Sequence, residues 1–147
     1  MRIKEYYHSG RDTKRQLTDE EHHAELEKLI QYTDSEGILQ EYEIDRVVIA
    51  PSAASFIACI RRHGKFRVKH AVNAVVDGIR NVTSMLNGQR LFIHSSCKDS
   101  IKEFGLYSWD DKAHEDKVIK ENDHAMDDIR YFVNTILVKE FKWLDWR

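Results

Sequence analysis

The chain has 147 residues, a mass of 17.4 kDa, 23 basic and 25 acidic residues and a net charge of -2, with 41% hydrophobic residues. This size and composition suit one soluble globular domain and leave no room for two ordinary ones. They exclude a uniformly basic nucleic-acid binder, and 6 glycines with a single proline, Pro51, exclude collagenous and low-complexity chains. No apolar run approaches the roughly 20 residues of a membrane helix, and Met1 to Tyr7 lacks the apolar stretch of a signal peptide. Two cysteines, Cys59 and Cys97, make no disulfide scaffold and point to a reducing compartment.

In chain order, Ile3 to His8 reads as a short strand stopped by Ser9-Gly10. Thr18-Asp-Glu-Glu21 is a capping box, and Leu26, Leu29 and Ile30 carry a helix to about Tyr32. Arg46-Val-Val-Ile-Ala50 is a continuous apolar run, as in a strand buried on both faces, and Pro51-Ser52 stops it. Ser52 to Arg62 reads as a helix closed by Gly64. Phe66 to Lys69 is a strand, and Val75, Ile79, Val82 and Leu86 form a helical stripe ending at Asn87-Gly88. Arg90 to His94 is a strand, Ser96 to about Phe104 a short helix, and Ser108 to Glu121 a polar loop. Asp123 to Lys139 predicts one long helix, followed by the aromatic tail Phe141 to Trp146. Alternating strands and helices imply an α/β fold with some parallel pairing, whose site lies beyond the carboxyl ends of strands. The Ile49-Ala50-Pro51-Ser52 turn is such an end.

Charge is unevenly spread. No acidic residue lies between Arg46 and Val76, whereas eight carboxylates face three lysines between Asp110 and Asp128. The second stretch suits cations. On a helix, His124 stands three residues before Asp127 and four before Asp128, so an imidazole and a carboxylate can face one spot. Carboxylates suit Mg²⁺ or Mn²⁺, and imidazole accepts Mn²⁺ or assists proton transfer. The other reading of the same residues is N-terminal capping by Asp123, with acidic groups complementing the helix dipole. The first stretch offers Arg61, Arg62, Lys65, Arg67 and Lys69 to a phosphate backbone, or else a solvated surface and strand edge. The Ala50-Pro51 turn offers backbone N–H groups to an anion, or is an ordinary connection with Ser52 as cap. His8, His22, His23, His63, His70, His94 and His114 show no metal-site spacing. Cys59 and Cys97 read as small buried apolar residues. No phosphate-loop motif is present.

Several segments together resemble the RNase H-like C-terminal nuclease domain of the tailed-phage terminase large subunit, in its prophage-type branch. They are Glu5-Tyr-Tyr-His-Ser-Gly10, Thr18-Asp-Glu-Glu21, Ala50-Pro-Ser-Ala-Ala-Ser-Phe-Ile57, Asn73 with Asp77-Gly-Ile-Arg-Asn-Val82, Cys97 with Glu103-Phe104, Tyr107-Ser-Trp-Asp110, and Lys120 to Asp127 followed by Ile129-Arg-Tyr131. The resemblance covers Glu5 to about Leu137. It implies a mixed sheet flanked by helices, and cleavage of concatemeric viral DNA by two divalent metals, Mg²⁺ or Mn²⁺. Two cations about 4 Å apart stabilise the attacking and leaving oxygens of such a hydrolysis.

By position, Asp127 matches the family's metal-binding aspartate on the last helix and His124 the histidine beside it. Asp123 and Asp128 fall in supporting or capping places, and the basic stretch in that of DNA contacts. Two departures stand out. Ala50 replaces an aspartate ahead of Pro-Ser-Ala, and no Gly-x-Asp strand precedes Ile3. The resemblance therefore implies one nuclease-like domain over residues 1–147, lacking the first strand and any ATPase domain, with impaired activity. A sheet edge left by a missing strand invites pairing with a second copy. Double-stranded viral DNA, the terminase small subunit and the portal are the implied partners, in the cytoplasm of a bacterial host. Two rival readings are a non-catalytic DNA-binding or assembly module left by a prophage, and an unrelated α/β domain.

Overall fold

A computed structural model describes residues 1–9, 13–110, 117–119, 121 and 123–144. The chain divides into two compact units, Tyr6–His70, and Met1–Glu5 with Ala71–Arg147. No helix among the described residues is long and apolar enough to cross a membrane.

In the unit Tyr6–His70, helix α1 spans Asp19–Leu29. Its capping box forms as the sequence predicts. The Thr18 hydroxyl accepts from the Glu21 backbone N–H at 3.2 Å, and the Glu21 carboxylate accepts from the Thr18 N–H at 2.8 Å. The helix stops at Leu29 rather than Tyr32, because Gln31–Thr33 (β1) pairs antiparallel with Leu39–Glu41 (β2). The loop between them explains the difference. Asp34 Oδ1 accepts from the N–H groups of Glu36 and Ile38, and Gly37 takes φ 80°, a conformation that suits glycine.

Strand β3, Val47–Ile49, is parallel to β4, Val68–His70, in register Val47↔Val68. Helix α2, Ala54–His63, makes the crossover between them. Gly64 at φ 72° ends α2 and donates its N–H to Ile60, as expected. Only Ile49 of β3 is fully buried, so the strand is half-covered rather than enclosed on both faces. Ile30, Ile49, Ile57, Ile60 and Phe66 form the core of this unit, with Leu26, Phe56 and Val68 packed against it.

In the other unit, α3 spans Val76–Asn87, α4 spans Lys98–Leu106 and α5 spans His124–Phe132. The expected strand Ile3–His8 does not form, and the expected strand Arg90–His94 shrinks to one parallel bridge, Arg2↔Ile93. Arg90 and Leu91 turn their N–H groups onto the Met85 carbonyl at the end of α3. Glu5 turns its carboxylate onto α4, where it accepts from the N–H groups of Asp99 at 2.7 Å and Ser100 at 3.1 Å.

The expected single helix from Asp123 is interrupted. A π-helical turn over Val133–Leu137 separates α5 from α6, Val138–Leu144. The turn buries Asn134 and Thr135, whose side chains bond outside the helix. Thr135 accepts from the Val72 N–H at 2.9 Å, and Asn134 accepts from Asn81 at 2.8 Å and donates to the Ala74 carbonyl at 3.3 Å. Within the expected Ser108–Glu121 loop, residues 111–116 and 120 lie outside the described residues, while Trp109 and Val118 form an antiparallel bridge. Met85, Leu91, Ala125, Met126, Ile129 and Val133 make the apolar core.

Candidate functional site

Helix α5 carries His124 in its first position and Asp127 one turn on, so the predicted spacing is realised. His124 is exposed and Asp127 half-buried. Asp123 occupies the N-cap position and is buried, but its side chain makes no cap hydrogen bond, contrary to the capping expectation. Glu103 from α4 takes that role. Its Oε2 accepts from the N–H groups of Ala125 at 2.7 Å and Met126 at 3.3 Å. A carboxylate there satisfies helix N–H groups that lack internal partners and meets the positive end of the helix dipole. Local sequence holds no sign of this cap, because its partners stand 22 and 23 residues apart.

Asp127 is committed to a buried arginine. Its Oδ1 lies 2.6 Å from Arg130 Nη2, and Arg130 is only 2% exposed. Arg130 Nη1 also donates to Asn73 Oδ1 at 3.1 Å and to the Ala74 carbonyl at 3.0 Å. Gly78 of α3 makes room for this arginine. A Cβ at that position would stand 2.6 Å from Arg130 Cγ and 2.4 Å from Asn134 Nδ2. Tyr107 registers the local field: burial pushes its hydroxyl pKa up, and the Asp127 charge adds to the rise while Arg130 opposes it. Asp128 is exposed and pairs with Arg2.

The remaining predicted positions belong to the unit Tyr6–His70. Ala50 ends β3, and its carbonyl accepts from the Ala53 N–H at 3.0 Å across the Pro51-Ser52 turn. Ala53, rather than Ser52, occupies the N-cap of α2, with no side-chain cap. Arg61, Arg62, Lys65 and Arg67 are exposed and Lys69 is half-buried. Although the sequence around this stretch lacks carboxylates, the fold brings them. Arg62 pairs with Glu20, and Lys65 lies 3.5 Å from Glu27 and 3.0 Å from Glu41. Arg61 approaches His70 at 3.4 Å.

One group escaped the reading of histidines and cysteines. Among the described residues, Glu20, Cys59 and His63 bring one ligand atom each to within 4.8 Å of the others. The overlooked signal is the Cys59-x-x-x-His63 spacing, which places both side chains on one face of α2.

The small sheets and the helices packed on them make a mixed α/β fold, and its likeness to solved structures is that of the RNase H-like class. The chain belongs to the terminase RNaseH-like domain family, whose model matches residues 4–135. The large terminase of a thermophilic bacteriophage, solved in complex with ATP-gamma-S, is similar at 44% identity and a TM-score of 0.80, over 90% of this chain and 32% of that one. A second crystal form of the same phage terminase matches at 42% identity and a TM-score of 0.79, over 90% of this chain and 32% of that one. The chain therefore spans about a third of the length of the terminases it matches. No match emerges among curated proteins.

Proposed function

We propose that this chain is the nuclease portion of a phage terminase large subunit, in a form whose hydrolytic metal site is incomplete. Its substrate is concatemeric double-stranded viral DNA. Asp127 and His124 are the residues that remain of the site for Mg²⁺ or Mn²⁺, with Asp123 and Asp128 around them. The observation that carries the impairment is the methyl group at Ala50, which offers no ligand atom at the end of β3. Among the described residues, no three ligand atoms of His, Cys, Asp or Glu converge at α5. This donor set does not fit a two-metal centre. Arg61, Arg67 and Lys69 face the phosphate backbone, and Arg62 and Lys65 join them by exchanging their carboxylate partners for phosphates. The terminase small subunit and portal are the assembly partners, in the host cytoplasm.

Calorimetric titration with Mn²⁺ and a plasmid-nicking assay test this reading. Weak binding and little cleavage are expected. Vigorous metal-dependent cleavage that disappears in Asp127→Ala would overturn the impairment. The basic stretch favours a second reading, a non-catalytic DNA-binding module. Salt-dependent DNA retention unaffected by Mg²⁺, with no nicking at any metal concentration, selects it.

A further inference from the structure

Glu20 stands in the first turn of α1, and Cys59 and His63 stand one turn apart at the end of α2. Glu20 Oε2 lies 2.7 Å from His63 Nε2, while Arg62 holds the other carboxylate oxygen. Cys59 is 2% exposed. The Glu20 and His63 side chains keep 54% and 40% exposure, so an ion can reach the group from that side. His23 stacks on His63 with ring centroids 3.9 Å apart and planes 17° apart, which restrains the His63 ring. His23 is itself buried, and its Nε2 has no hydrogen-bond partner.

We propose that Glu20, Cys59 and His63 form a binding site for a thiophilic divalent ion, Zn²⁺ foremost. A thiolate sulfur, an imidazole nitrogen and a carboxylate oxygen are zinc donors, at about 2.3, 2.0–2.1 and 2.0–2.2 Å from the ion. In a tetrahedron those bonds separate the ligand atoms by about 3.4–3.7 Å. Ligand atoms within 4.8 Å reach that geometry by side-chain rotation. The 2.7 Å contact between Glu20 and His63 opens by about 0.7 Å as the ion takes the place of the shared proton. Mg²⁺ and Mn²⁺ prefer all-oxygen sets, so the sulfur selects against them. On binding, the Cys59 thiol proton passes to solvent. The His63 proton moves from Nε2 to Nδ1 by exchange with water, and Nε2 takes the ion. Water completes the fourth position. The ion clips the start of α1 to the end of α2 and stabilises the folded chain in proportion to its free concentration. Without it, burial and the nearby Glu20 charge push the Cys59 thiol up, which keeps it protonated. The site shares no residue with Asp127 and His124.

The test titrates the reduced, metal-free chain with Co²⁺. The expected result is a thiolate-to-cobalt charge-transfer band with the visible bands of a tetrahedral ion, both abolished by Zn²⁺ and untouched by Mg²⁺. Cys59→Ser removes the charge-transfer band, and Cys97→Ser leaves it. His63→Ala and Glu20→Gln, at exposed positions, weaken Co²⁺ binding by more than about tenfold. These two variants decide the matter if Cys59→Ser fails to fold by circular dichroism. No charge-transfer band at millimolar Co²⁺, a band that follows Cys97, or affinity unchanged in both exposed variants would overturn the site.

Discussion

The two units of this chain place their charges differently. In Tyr6–His70 the pairs of Arg62 with Glu20 and of Lys65 with Glu41 lie at the surface, over an almost wholly aliphatic core. His23 is the buried polar residue there among those described. In the unit of Met1–Glu5 and Ala71–Arg147, Ser100, Glu103, Asp123, Arg130, Asn134 and Thr135 are buried beside an apolar core. Surface pairs exchange readily with water or with a phosphate. A buried pair loses its partner only at the cost of a stranded charge. The first unit can thus offer its cations to a ligand, whereas the second holds the Asp127 carboxylate against the buried Arg130.

Arg130→Ala cuts deepest into this contrast. It strands Asp127, removes the Arg130 donor from Asn73, and leaves the Ala74 carbonyl only the longer bond from Asn134. Urea unfolding should show a loss of about 3–5 kcal/mol. A loss smaller than that of any surface change would dissolve the distinction between the units. Ile60→Ala probes the other unit. Ile60 is 0% exposed, and its truncation should lower stability by about 2–5 kcal/mol through lost burial and an unfilled cavity.

Gly78→Ala sharpens the picture by overpacking α3 against the arginine. The closest atoms stand 2.4 to 2.8 Å from the new Cβ, and the expected cost is about 1–3 kcal/mol. A neutral result by thermal unfolding would mean that Arg130 moves freely. Thr18→Ala should cost about 1 kcal/mol, since it removes one acceptor at the end of α1; chemical denaturation measures it.

The smallest effect concerns pH. Backbone hydrogen bonds, from Thr18 to Glu21 and from Ile38 to Asp34, hold both carboxyls below their ordinary values. Between the folded and unfolded pKa values the unfolded chain binds more protons, so stability rises with pH there. Their contribution is therefore complete above the ordinary carboxylate range and fades as pH falls through the lowered values. Melting temperature across acid pH, compared between the parent and a Glu21→Gln, Asp34→Asn double variant, should show a shallower slope in the variant.

What could be read from the sequence depended on the range of the interactions. The α1 capping box, the Gly64 stop, the strands expected at Arg46–Ala50 and Phe66–Lys69 and found at Val47–Ile49 and Val68–His70, and the His124–Asp127 spacing all rest on patterns a few residues long. So does the resemblance that led to the family. The hairpin after α1 was missed because its signal is one aspartate bonding two N–H groups beyond it. The expected strand Arg90–His94 shrank to a bridge because the Met85 carbonyl claimed the N–H groups of Arg90 and Leu91, and Ile3–His8 formed no strand.

By itself, the order of residues determined the α/β class, the helix ends and which carboxylates and imidazoles could share a helical face. Local hydrogen bonds and the helical period act between neighbours, so they are written in neighbours. Tertiary structure alone decided what each charge meets. It brought Glu103 to the start of α5, Arg130 and Asn73 to one another, Glu20 to Cys59 and His63, and carboxylates to a stretch that has none in sequence. Charges and ligand atoms act through distance in space, and only folding sets that distance.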